Sequence, residues 1–468
     1  SVGAAGDAST RMQTDARSLT VTTGASAFVD NAKDLLGLSF LSSQTNATVP
    51  TYSITAPELS FDITSDGTTT TVNQVRDTTG LNFALETRQA QVIDAVDVQS
   101  TGTASLASRN QLLGSTNASH STTAASTTLS TNFSTLNAAI GQAGNEIRIA
   151  SPLVTLVSSG SVNLVSERHI DRLEVTTRHP TDTAGTYRID SMPVNGNTPY
   201  TLLAGTDGST GTVLTSLTDT EGLDFTLSSD RSIGVGELNL GTTGTVTLKN
   251  SSGSIVGDGV AGTQVRAASL TMNSSAGAIG ATGAGNSIEA TVNALTATSN
   301  GGATHLNLHG RTSLGSVTAN GAVNLSNDIG DIALGSIDAR GNTVTVDNQG
   351  GSILSGSISN TTSVTLNANG SIGNQSAVNL RANGGGTTTL SATAAAANGA
   401  SGSINVSESY GLTATAISAP GAVTLRAANN LTVGSVSGGE VVSLTSTTGN
   451  INALNGSNLV SGSRVALN

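Results

Sequence analysis

The 468-residue chain has no cysteine and no tryptophan, and it holds only six phenylalanines, four tyrosines and two lysines, Lys33 and Lys249. Without cysteine there are neither disulfides nor thiolate metal sites, so stability has to come from backbone pairing and packing. So few aromatics cannot fill a round core in a chain this long. Aliphatic side chains stacked in rows can fill a narrow one, where each layer touches only its neighbours. Charged residues make up 11% of the chain, and the formal net charge of -12 is spread thinly rather than in runs. Such a surface repels nucleic acid and anionic lipid, so neither is an expected partner. No run of about 18 apolar residues occurs, which predicts no membrane insertion by this segment. The first residues form no basic and apolar leader, and the expectation is a soluble chain, processed or part of something longer.

What is present is a phased pattern. Two apolar residues flank one small polar residue, a short polar stretch follows, and then Gly, one residue and Ile. The copies are Val246-Thr-Leu248 with Gly253-Ser-Ile255, Leu270-Thr-Met272 with Gly277-Ala-Ile279, Val323-Asn-Leu325 with Gly330-Asp-Ile332, Val344-Thr-Val346 with Gly351-Ser-Ile353, Val364-Thr-Leu366 with Gly370-Ser-Ile372, and Val442-Ser-Leu444 with Gly449-Asn-Ile451. Adjacent copies start about 20 residues apart, the size of one unit in a stacked array. Alternation of apolar with Thr, Ser or Asn is strand periodicity, one side inward and one side toward water. The glycine supplies a cheap corner. The predicted fold is therefore all-β, a right-handed parallel β-helix (solenoid) with one inserted hairpin or small subdomain. Ladders of Asn, Ser and Thr on neighbouring coils are expected, because side chains one rung apart lie about 4.8 Å from each other.

Texture divides the chain into zones. Residues 235–468 read as a regular shaft of about 20-residue coils, and residues 146–166 as an earlier coil opening with Val154-Thr-Leu156 and Gly160-Ser-Val162. Residues 167–234 break the pattern with charges, prolines and tyrosines, which predicts an inserted hairpin or small subdomain. Residues 1–145 read as irregular and β-rich. Phe28, Phe40, Phe61, Phe83 and Phe133 predict a thicker core or some irregular coils there, the stretch 115–135 an exposed loop or a coil with a long excursion, and Asn31–Leu36 a short helix.

The repeat in residues 235–468 resembles the shaft of large secreted bacterial exoproteins of the filamentous-haemagglutinin type, and the rest of the chain does so more loosely. That resemblance implies a right-handed parallel β-helix, export by two-partner secretion, and work as an adhesin or matrix protein at the cell surface. The Asn-Pro-Asn motifs usual in the secretion domain of these proteins are missing, since no Asn-Pro occurs in the chain. The expected function is that of a secreted bacterial surface or extracellular structural adhesin, a stalk mediating attachment or matrix formation. Its expected partners are other copies or segments stacked end to end, cell-surface glycans, or host or bacterial surface proteins. A self-assembling extracellular fibre subunit and a β-helical polysaccharide-active enzyme are the alternatives. No catalytic, cofactor-binding or metal residue is assigned and no cofactor is expected, because the acidic residues of the shaft are single and scattered. His305 and His309 read as solvent-facing histidines, and Asp328 and Asp331 as solvated turn residues. The recognition residues are placed in the charged insertion: Glu167, Arg168, His169, Asp171, Arg178, His179, Tyr187 and Tyr200.

Overall fold

The computed structural model describes residues 1–5, 10–43, 49–116, 121–131, 138–178, 185–191, 201–207, 211–219, 221–262, 264–283, 285–396, 401–455 and 459–468. Strand accounts for 63% of the structure, and no α-helix occurs among the described residues. The fold is a parallel β-solenoid, in two compact units, Ser1–Arg231 and Ser232–Asn468.

In the second unit the alternation of the sequence becomes an inside and an outside. Val323 pairs in register with Val344, and Val344 with Val364, all three inaccessible to solvent. Their row runs from Ile233 through Ile255, Ile279 and Thr304 to Val323, and beyond Val364 through Leu390, Ala414 and Val433 to Ala453. Ten steps at the strand spacing of about 4.8 Å give this row a length of roughly 48 Å. Each fully buried Val, Leu or Ile contributes about 1.5–3 kcal/mol relative to an exposed one, so the row is a main source of cohesion.

The two halves of the sequence motif are not two separate columns. Ile279, which follows a glycine corner, stacks under Thr304 and so belongs to the row of Val323. Ile332, Ile353, Ile372 and Ile404 form another row, which continues as Val423, Val442 and Val465. The interior asks only for an aliphatic side chain of the right size, so either half of the motif serves on either face.

The first unit is built the same way, with Leu19, Leu38, Phe83, Ala104, Thr127, Val154, Leu173 and Phe225 in one row. The strands of this face end on a buried column of Thr23, Ser42, Thr87, Ser108, Thr131, Ser158, Thr177 and Ser229. The hydroxyls of Thr23, Thr87, Ser108, Thr131, Ser158 and Ser229 satisfy corner backbone groups that would otherwise be stranded away from water. Ser158 Oγ, for example, donates to the Gly160 carbonyl at 3.0 Å, and Thr131 Oγ1 to that of Ala138 at 2.9 Å. In the second unit Asn327 Nδ2 donates to Asn348 Oδ1 one rung away at 2.9 Å, a direct step of the expected ladder.

Several local expectations are corrected. No helix forms near Asn31–Leu36. Ala27–Asn31 is strand, and the Asn31 amide turns the chain by donating to the Ala16 carbonyl at 2.8 Å while accepting the Ala16 N–H at 3.0 Å. Of the two readings of 115–135, the described residues follow the coil rather than the loop. Thr122–Thr123 and Ser126–Thr131 are coil strands, whose small inward residues pair by hydroxyl, as in Thr127 Oγ1 to Ser151 Oγ at 2.6 Å. Phe133 lies outside the described residues. Among the described residues there are two antiparallel excursions rather than one. Thr51–Thr55 pairs antiparallel with Leu59–Ser65, and that strand with Thr69–Asp77; Gly185–Ser191 pairs antiparallel with Thr201–Asp207, and that strand with Gly211–Thr218.

Candidate functional site: a walled cleft on the second unit

A recurring device shapes the surface. Ile279 and Ile288 stack on Thr304 and Leu306, positions separated by His305 alone, so residues 280–283 and 285–287 are squeezed outward across His305. The same happens between Ile140 and Ile147 opposite Asn163, and between Ile372 and Val378 opposite Asn405. Each excursion leaves the row on a glycine of positive φ, Gly141 at 70°, Gly280 at 66° and Gly373 at 72°. A Cβ on Gly280 would lie 2.1 Å from the His305 carbonyl oxygen, which explains why glycine stands there. Gly280 N–H donates to the Ile255 carbonyl and His305 N–H to the Ile279 carbonyl, both at 2.7 Å, so the ladder is kept on either side of the exit.

The excursion opposite His305 walls a cleft of about 420 Å³. Ala281, Thr282, Gly283 and Ser287 form the wall, and outward side chains of successive rungs form the floor. One floor column is Glu289, Asn307, Ser326 and Asp347, and the next is His305, Asn324 and Thr345. The first column is internally bonded. Asn307 Nδ2 donates to Glu289 Oε1 at 2.6 Å and to Ser287 Oγ at 2.9 Å, while Ser326 Oγ donates to Asn307 Oδ1 at 2.6 Å. Interlocked short side chains give up little rotamer freedom when a ligand arrives.

Histidines set the electrostatics. His309 is held between Glu289 Oε2 at 2.7 Å and Asp328 Oδ2 at 2.9 Å, and so ties two neighbouring rungs to its own. Burial opposes its protonation, but the hydrogen bonds and charges of the two carboxylates outweigh that and raise it above the usual histidine value. His305, under the excursion, is lowered by burial. His309 is thus an ion-pair clamp rather than the solvent-facing residue expected, while Asp328, exposed on a bend as expected, is its outer partner. Asp331 accepts from Arg311 Nη2 at 3.1 Å and from the Ser352 N–H at 2.9 Å, so it too has protein partners. Among the described residues no group of three or more His, Asp or Glu is placed to hold a metal ion.

The residues singled out from the sequence lie elsewhere. Glu167, Arg168, His169 and Asp171 sit on the corner between the coil strands Val162–Ser166 and Arg172–Thr177, and Arg178 directly follows the second, so they belong to the coil and not to a projecting insertion. The reason is local: Leu173 and Val175 keep strand alternation through the charges and stack on Val154 and Leu156. His169 bridges Asp171 Oδ1 at 3.2 Å and the buried Asp219 Oδ1 at 3.1 Å. Arg148 lies 3.8 Å from Glu167. Tyr187 faces inward on Gly185–Ser191, and burial pushes its phenol far up despite the Ser158 hydrogen bond, so it is core rather than recognition surface. His179 and Tyr200 lie outside the described residues.

The cleft was not found from sequence. A usable signal was there: Ile-Gly at 140, 279 and 372, followed by a short polar run and another Ile or Val. Comparisons with family models, with curated proteins and with solved structures return no match.

Proposed function

We propose that the chain is a secreted bacterial structural adhesin, in which the solenoid is a stiff spacer and its polar outer columns are the adhesive surface. The observation that supports this is one uninterrupted outward column on the second unit: Glu289, Asn307, Ser326, Asp347, Asn367, Thr393, Ser418, Ser437 and Ser461, each in register with the next. None of the nine is aromatic, aliphatic or basic. Short polar side chains at a fixed rung spacing suit repeated weak hydrogen bonds to an extended surface, while the aliphatic rows behind them resist deformation.

The test is attachment under flow. Beads coated with the full chain should be retained on bacterial or host cell layers and released by soluble chain in excess. Retention no better than that of beads coated with an inert protein would remove the reading.

A further inference from the structure

We infer that the cleft walled by Ala281, Thr282, Gly283 and Ser287 is a binding site for an uncharged, hydroxyl-rich glycan chain. This rests on the adhesive reading and gives it a ligand. The cleft is a place where the polar columns acquire a side wall, and its volume of about 420 Å³ falls in the range of small-molecule sites. Its floor offers acceptors and a donor together: the carboxylates of Glu289 and Asp347 and the Asn307 carbonyl accept, and the Asn324 amide, with one N–H directed to His305, has a second to give. A saccharide hydroxyl both donates and accepts, so it can use either kind at each rung.

Charge selects the class. Two carboxylates line the cleft, and no lysine or arginine does. Glu289 is matched by His309, but Asp347 is engaged by Gln349 Nε2 at 3.2 Å, a neutral group, so its charge faces the cleft uncancelled by that partner. A uronate or sulfated chain would have to desolvate beside that carboxylate without a cation to answer it. An uncharged chain meets no such cost. Orientation follows from the columns, which run along the stacking direction, so a linear glycan lies across the strands with successive units over successive rungs, about 4.8 Å apart. No aromatic platform lines the cleft, so affinity at one site is low and attachment depends on repetition.

The probes are cellohexaose and chitohexaose as uncharged chains and hexagalacturonate as the acidic one, titrated into the full chain and followed by saturation-transfer NMR. At least one uncharged hexasaccharide should bind at millimolar concentration and at least about tenfold more tightly than hexagalacturonate, the factor that corresponds to one good hydrogen bond. Asn307→Ala should weaken it by a similar factor, and so should Thr345→Arg, which obstructs the cleft without touching the bonded column. Thr432→Ala, outside the cleft, should leave it unchanged, and circular dichroism identifies any variant that has lost its strand structure. Absence of binding by both uncharged chains, a preference for the acidic one, or binding unaltered by both Asn307→Ala and Thr345→Arg in folded protein overturns the inference. Coated beads that adhere under flow while no hexasaccharide binds would overturn the glycan site and leave the adhesin reading standing. Hexasaccharide binding with no bead adhesion would do the opposite.

Discussion

Gly280 holds the exit of the excursion by its backbone alone. Its φ of 66° and the 2.1 Å approach of a would-be Cβ to the His305 carbonyl combine two penalties, left-handed strain and a backbone clash. Gly280→Ala should therefore cost about 2–4 kcal/mol, whereas Gly384→Ala, at φ 60° with nothing within 4 Å, should cost about 1 kcal/mol. Denaturant midpoints of the two variants check this, and equal shifts would contradict it. His309 supplies a pH signature. Its folded value is raised, so its stabilising effect is fully present below the unfolded value of about 6.5 and is lost as pH rises through the folded value. The difference in thermal midpoint between the native chain and His309→Gln should be largest at mildly acid pH and shrink in alkali. A difference that grows with pH would show that the carboxylate clamp does not operate.

Among the elements, the two antiparallel excursions are one module used twice. Thr51-Tyr-Ser-Ile54 matches Thr186-Tyr-Arg-Ile189, and Asp77-Thr-Thr-Gly-Leu-Asn-Phe-Ala-Leu85 matches Asp219-Thr-Glu-Gly-Leu-Asp-Phe-Thr-Leu227. Both modules add a strand parallel to the preceding coil, turn back twice with a register shift, and re-enter the stack through a buried aspartate. Asp77 Oδ2 accepts the N–H groups of Thr79, Gly80 and Leu81 at 2.7, 2.8 and 3.1 Å. Asp219 Oδ2 accepts those of Glu221, Gly222 and Leu223 at 3.1, 2.9 and 2.9 Å. Replacing either by Ala leaves three donors wanting, and each substitution should cost about 1–3 kcal/mol, measured as a shift of the unfolding midpoint. An unchanged midpoint for both would mean the turns are held by the buried Leu81 and Leu223 alone. This module was hidden in the sequence because its halves are separated by strands of unlike composition, such as Phe61-Asp-Ile63 against Leu202-Leu-Ala204.

For the molecule as a whole, the sequence carried the coil because the coil is a local rule. Val323, Val344 and Val364 have to face the same way if each is to be covered, and the alternation with Thr and Asn says which way that is. The only local mark of the cleft is the Ile279-Gly280 corner with the polar run after it. The cleft exists because Ile279 and Ile288, nine residues apart, stack on two residues that are neighbours but one, and only the pairing of separate coils reveals that. Nor could charge alone place a site, since Glu167 to Asp171 look like an insertion until Leu173 and Val175 are seen stacked on the coil below. The central claim is the rung-by-rung register of the second unit, and the absence of cysteine allows it to be measured with nitroxide labels at introduced cysteines. One label stays at Asn324 while the other moves to Thr345, Thr365, Ser391, Ala416 and Ser435, each one rung further along a single column. Dipolar distances should rise by about 4.8 Å per step, to roughly 24 Å at Ser435. Distances that fail to increase in that order, or that jump between steps, would contradict the account.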